Sequence, residues 1–243
     1  MQLKIRALAL LLILGAALEW PAAALAASGQ ITQLSGALLA RRPDGNTRFL
    51  SARSFVDEGD TLATSDNSYA RIRFNDGADV VMRPNSQLRI DKYKYEALAP
   101  EHDGMVLSLI KGGLRSITGL LGKRNPRTFQ LNTATATVGI RGTVFGSQIC
   151  NNDCGGLNTP NGKPLENGLH VDVSDGRIVV TTNAGSREFG VGEFGFVAGL
   201  NVLPVPVPPA EGFRVQAVQQ VLAQSLFGTN GAPGAPKSEC EVR

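Results

Sequence analysis

The chain has 243 residues, with 24 lysines and arginines against 21 aspartates and glutamates, and a formal charge of +3 at neutral pH. That near balance excludes the strong basic field that nucleic acid or an acidic membrane surface calls for. The abundant glycine (28 residues), the modest aromatic content (6%) and frequent turn signals point to β-structure, in a length that suits one compact domain with appendages.

Lys4 and Arg6 precede an apolar or small stretch from Ala7 to Leu18, and Ala24-Leu25-Ala26 offers a cleavage site, so residues 1–26 read as a secretory signal peptide. Glu19 and Pro21 interrupt the run before it reaches the roughly 20 apolar residues of a membrane span. No later segment has that length and apolarity, so the mature chain is expected to carry no integral span and to be periplasmic or secreted. Removing residues 1–26 takes out Lys4, Arg6 and Glu19 and lowers the formal charge from +3 to +2.

From Ser28 onward, short alternating segments are broken by turns, and a β-domain is expected over 28–199. "SYARIRF" sends Ala70, Ile72 and Phe74 to one side and Tyr69, Arg71 and Arg73 to the other, as a half-buried strand does. Asn75-Asp76-Gly77 then offers a tight hairpin, after which Ala78, Val80 and Met82 face inward against Asp79, Val81 and Arg83. Pro84-Asn85-Ser86 turns the chain again. Tyr93 and Tyr95 either present rings to a ligand or cover a sheet edge. A faint echo links "LSGALLARRPDGNTRFLSARSFVDEGDTL" with "VSDGRIVVTTNAGSREFGVGEFGFV", which is consistent with a short β-solenoid or a two-sheet sandwich.

"KGGLRSITGLLGKRNPR" holds Lys111, Arg115, Lys123, Arg124 and Arg127 without an acid, and Leu120 and Leu121 near its tip. Together these residues form a candidate interaction surface, with a solvated loop as the plainer alternative. The glycines of "GLLGKR" resemble a phosphate cradle, but the motif is incomplete.

In "TATATVGIRGT" the inward face switches between Leu131 and Ala134, which marks a bulge or corner, and Gly139, Arg141, Gly142 and Thr143 follow. Small neighbours leave room for the Arg141 guanidinium. We read it as a structural clamp on strand-end carbonyls or a carboxylate, with contact to an acidic ligand as the alternative.

Cys150 and Cys154 in "ICNNDCGG" are close enough for a disulfide across a loop. A metal site is the rival, yet the two histidines, His102 and His170, lack ligand spacing, and no cofactor is expected. Cys240 is either free or paired between chains. No nucleophile elbow, zinc helix or P-loop is present, and His170 with Asp172 reads as a surface hydrogen bond rather than part of a triad, so no catalytic residue is assigned. Downstream, "PVPVPP" at 204–209 reads as an extended linker. Val215, Val218, Leu222 and Leu226 mark an amphipathic helix over 211–227, and 228–243 has the composition of a disordered tail.

"GDTLATSDNSYARIRFNDGADVVMRPNSQLRI", "LIKGGLRS" and "FQLNTATATVGIRGTVF" together resemble the FecR domain family over about residues 59–149, although Thr133-Ala134 stands where the family pattern has Thr-Pro. The resemblance implies an extracytoplasmic, all-β, non-enzymatic domain with a role in sensing or protein interaction. It departs from the signalling members in showing a signal peptide where they carry a cytosolic helical domain and a membrane helix.

The expectation is therefore an all-β domain of stacked short strands, solenoid or sandwich, with a short C-terminal helix. Functionally it is a non-catalytic exported module that recognises a partner protein or an envelope polysaccharide, with self-association open. The alternative is a ligand-sensing component of an extracytoplasmic sigma/anti-sigma system.

Overall fold

The computed structural model describes residues 27–216. The expected signal peptide, Cys240 and the expected tail lie outside the described residues, as does the expected C-terminal helix beyond Gln216.

The first half is a run of short strands: β1 (Gly29–Ser35), β2 (Leu38–Arg41), β3 (Thr47–Leu50), β4 (Phe55–Val56), β5 (Thr61–Thr64), β6 (Tyr69–Phe74), β7 (Asp79–Met82) and β8 (Gln87–Lys94). In β6, Ala70, Ile72 and Phe74 are buried while Arg73 is exposed, the period of two that a one-faced strand demands. Gly77, at φ 82°, closes the β6–β7 hairpin and donates its N–H to the Phe74 carbonyl at 2.9 Å. Tyr93 packs on Phe74 with ring centroids 5.2 Å apart, so it covers the core instead of facing a ligand.

Longer strands follow: β9 (Gly104–Ile117), β11 (Thr137–Cys150) and β12 (Gly168–Thr182), joined by helix α1 (Leu120–Arg124) and β10 (Phe129–Asn132) and followed by β13 (Gly185–Gly190), β14 (Phe194–Val197) and β15 (Val205–Val207). The three long strands each serve two layers. The first part of β9 pairs with β8 and β10, and its last residues pair with β7 and β11. Likewise β11 leaves β10 for β9, and β12 pairs with β14 through its first part and β13 through its last. Glycines at positive φ mark the passages: Gly112 (75°), Gly142 (60°) and Gly176 (70°). A residue with a Cβ is disfavoured in that region, so the bends fall where side chains are absent.

One hydrogen-bonded sheet is thus folded onto itself, with most of its buried apolar residues in one cluster between the two layers and a smaller cluster of Cys150, Cys154 and Leu165 apart from it. Phe129 of one layer meets Phe145 of the other edge to face at 6.3 Å. Each fully buried side chain of this size contributes about 1.5–3 kcal/mol. The described residues are mostly strand, in one large sheet with almost no helix, and apart from the parallel β9–β10 pair the named strands pair antiparallel.

Three details differ from expectation. The switch of face between Leu131 and Ala134 is the β10–β11 turn, where Thr133 Oγ1 accepts from the Thr135 and Ala136 amides and Ala134 is exposed. The proline-rich stretch is no free spacer, because Val205–Val207 forms β15 against β14. Residues 211–216 are not helical; Val215 is 1% exposed and sits in a slot beside Gly146.

Candidate functional site

The fold disperses the basic run 111–127. Arg115 points away from the core, where its guanidinium donates to the Val215 carbonyl at 2.7 Å and bonds Ser174 and Asp172, with only 10% of the side chain exposed. It is a buried structural group and not part of a recognition surface. Leu121 is fully buried, while Leu120 stays exposed. Arg124 donates to Asp103 at 2.7 Å and to the carbonyls of Glu96 and Ala97, and it lies 4.7 Å over the Tyr95 ring. Lys111 faces a different hollow, 3.7 Å from Asp153.

The glycine-flanked turn at α1 does hold an anion, but the chain supplies it. Asp76 Oδ2 accepts the Leu121 amide at 3.1 Å and the Asp76 carbonyl accepts the Leu120 amide at 2.9 Å, so the donors of the first turn are satisfied from within. The Tyr93 hydroxyl bonds the same carboxylate at 3.2 Å. Burial and the nearby Asp76 charge push the Tyr93 phenol upward, which keeps it a neutral donor.

The Arg141-Gly142-Thr143 stretch is the corner at which β11 passes from one layer to the other. Gly142 supplies the positive φ, and a Cβ on the facing Gly176 would overlap the Gly142 carbonyl. Thr143 performs the clamping that was expected of Arg141. Its buried hydroxyl donates to the Arg177 carbonyl at 2.6 Å and accepts the Arg141 amide at 3.2 Å, and its amide donates to Thr118 Oγ1 at 2.9 Å. Arg141 itself is 68% exposed, and its nearest acid is Glu188 at 3.9 Å. Glu188 is already taken by Arg177 at 2.8 Å. The clamp reading of Arg141 fails because the crossing turns its side chain out of the layer.

What the corner and the basic loop do share is a trough of about 740 Å³ lined by Lys123, Arg127 and Arg141. Its floor is the outer face of β10, β11 and β12, where Gln130, Gly139 and Val179 form one cross-strand row. Gly139 leaves that floor low beside the guanidinium. Lys123 and Arg127 have no acidic partner among the described residues. Cations at a low, small-residue floor can hold carboxylates without giving up an internal ion pair.

The remaining candidates are internal. Cys150 and Cys154 form the expected disulfide, with Cα atoms 5.4 Å apart. His170 Nε2 lies 2.9 Å from the Glu166 carbonyl, and burial lowers its pKa, so the ring is neutral at pH 7. Asp172 instead accepts the Val215 amide at 3.0 Å; both side chains have structural partners, and they do not form an acid–base pair. Among the described residues no group of three or more side chains is arranged to hold a metal, and no helix is long and apolar enough to cross a membrane.

Residues 60–178 match the model of the family described as FecR protein. This chain carries a FecR domain. The match takes in the corner, β9, β11 and β12 as far as Ile178, and the trough except for Val179 and Thr181. Two crystal structures of a candidate anti-sigma factor from Parabacteroides distasonis are similar in part. One is 13% identical with a TM-score of 0.46 over 62% of this chain and 60% of that one. The other is 15% identical with a TM-score of 0.47 over 69% and 64%. The chain thus spans less than two thirds of either protein. A structure described as a cell surface anchoring domain aligns over 25% of this chain and 80% of its own, at 33% identity and a TM-score of 0.25. No curated protein matches.

Within the FecR domain, sequence reasoning missed Thr143 as the clamp and Asp76 as the internal anion. The Asn-Asp-Gly turn signalled the place of Asp76 but not its partner 45 residues away.

Proposed function

We propose that the FecR domain is a non-catalytic interaction module of an extracytoplasmic signalling assembly, and that its trough holds an acidic segment of a partner protein. The family match supports a regulatory role, and the expected signal peptide supports a site outside the cytoplasm. The observation that carries the proposal is the convergence of Lys123, Arg127 and Arg141 on one trough, two without an acid and the third only loosely held by a shared one. A peptide suits the site better than an envelope polysaccharide. Sugar rings stack on exposed aromatic faces, and the one aromatic in this lining, Phe129, is buried.

The test is fluorescence anisotropy of a labelled deca-glutamate peptide with the full chain at low and at physiological salt. Binding that weakens with salt and is lost in the Lys123→Glu, Arg127→Glu, Arg141→Glu triple variant is the expected result. Equal binding by that variant, or preference for a polyuronate over the peptide, overturns the assignment.

A further inference from the structure

A second cationic site lies on another part of the molecule. The start of β6, the residue after β7, the loop beyond the disulfide and the strap 213–216 converge on a cavity of about 240 Å³. Among its lining residues are Tyr69, Arg83, Asn158, Phe213 and Arg214.

Arg83 is the anomaly. The other arginines drawn inward are matched by acids: Arg48 by Asp60, Arg71 by Asp79, Arg115 by Asp172 and Arg124 by Asp103. Arg83 is half-buried, yet its guanidinium has neither a carboxylate nor a carbonyl partner among the described residues; its one close companion is the Phe213 ring at 5.1 Å. Burial lowers its pKa, the mark of a cation that has lost water without a matching acid. A ring face recovers less than that loss of water costs. Arg214 lines the same cavity, held by the Phe194 ring at 5.2 Å and likewise without an ion pair among the described residues. The Tyr69 hydroxyl and the Asn158 side chain have no hydrogen-bond partner there either, so both remain available to a ligand.

We propose that this cavity binds a small carboxylate with an apolar body, the acid group on the Arg83 fork and the body against Phe213 and Leu157. A guanidinium accepts both oxygens of a carboxylate in one plane, and a volume below the usual range for drug-sized ligands restricts the guest to a small acid. The acid group comes either from a free molecule or from Glu239 and Glu241 of the chain's own C-terminal segment. The site does not depend on the trough.

The experiment titrates the full chain with hydrocinnamate and with its neutral amide by calorimetry. Saturable binding of the acid, at least tenfold weaker binding of the amide, and a tenfold or greater loss in Arg83→Met are expected. Acid binding that emerges only in a Glu239→Gln, Glu241→Gln variant also supports the site and identifies the chain's own carboxylates as its occupant. No binding of either form by both the parent and the Glu239→Gln, Glu241→Gln variant, or equal binding of acid and amide, overturns the proposal. Melting temperature is the second readout. An unmatched guanidinium exchanged for methionine leaves the fold as stable or more so, whereas a sharp drop reveals a structural partner and refutes the site.

Discussion

Thr143→Val is the most informative single change at the corner. Valine matches threonine in shape and removes only the hydroxyl, which donates to the Arg177 carbonyl at 2.6 Å and accepts the Arg141 amide at 3.2 Å. Two hydrogen bonds at about 1 kcal/mol each, with part of the cost of leaving a buried carbonyl unsatisfied, give a loss of about 2–3 kcal/mol. For a domain of this size that lowers Tm by about 4–12 °C. Thermal melts followed by circular dichroism, backed by urea unfolding, measure it. Arg141→Ala is the control: an exposed side chain 3.9 Å from a shared acid is worth no more than about 0.5 kcal/mol. A Thr143→Val variant that melts within about 2 °C of the parent refutes the clamp, and a large drop in Arg141→Ala returns that role to the arginine.

Gly176→Ala is expected to be among the most damaging single substitutions, because it combines a φ of 70° with overlap on the Gly142 carbonyl; expression at parental yield and stability would contradict the layer crossing. Asp79 gives an acid-dependent signature. Burial opposes its ionisation most strongly, but hydrogen bonds from Arg73 and Arg71 at 2.7 Å outweigh it and hold its pKa below 3.8. A depressed carboxylate stabilises the fold above its unfolded pKa, and that contribution disappears as the pH falls through the folded value. Asp79→Asn therefore costs about 2–4 kcal/mol at pH 7, with Arg73 half exposed, and the gap to the parent closes below about pH 4. A gap independent of pH in urea titrations would contradict it. Replacing Cys150 and Cys154 together by alanine opens a short loop and is expected to cost about 2 kcal/mol by the loop-entropy relation, read in the same titrations.

Local physics made much of the fold legible. Alternation in "SYARIRF" and the Asn-Asp-Gly turn are properties of a few adjacent residues, and the hairpin follows from them. The Cys150–Cys154 bridge is equally local. What lay beyond reach depends on pairings across long separations. Arg115 is internal because Asp172, Ser174 and Val215, at separations of 57, 59 and 100 residues, close around it. The basic run looked like one patch, yet β9, α1 and the loop after it send its members to different faces, and only Lys123 and Arg127 join Arg141. That union could not be read along the chain, because a glycine-relieved crossing decides which way Arg141 faces. Arg83 carried no signal at all: its outward parity was visible, but the cavity around it is built by the disulfide loop and the strap, far apart in sequence.

The central claim, that the trough is the recognition surface, is tested most directly by zero-length carbodiimide coupling of the deca-glutamate peptide to the full chain, followed by mass mapping. The reagent joins a carboxylate to an amine already in contact with it, and Lys123 is the one lysine lining the trough among the described residues. Coupling concentrated at Lys123 and suppressed by the Arg127→Glu, Arg141→Glu variant is the predicted result. Coupling at Lys111 or Lys163 with Lys123 untouched would contradict the account.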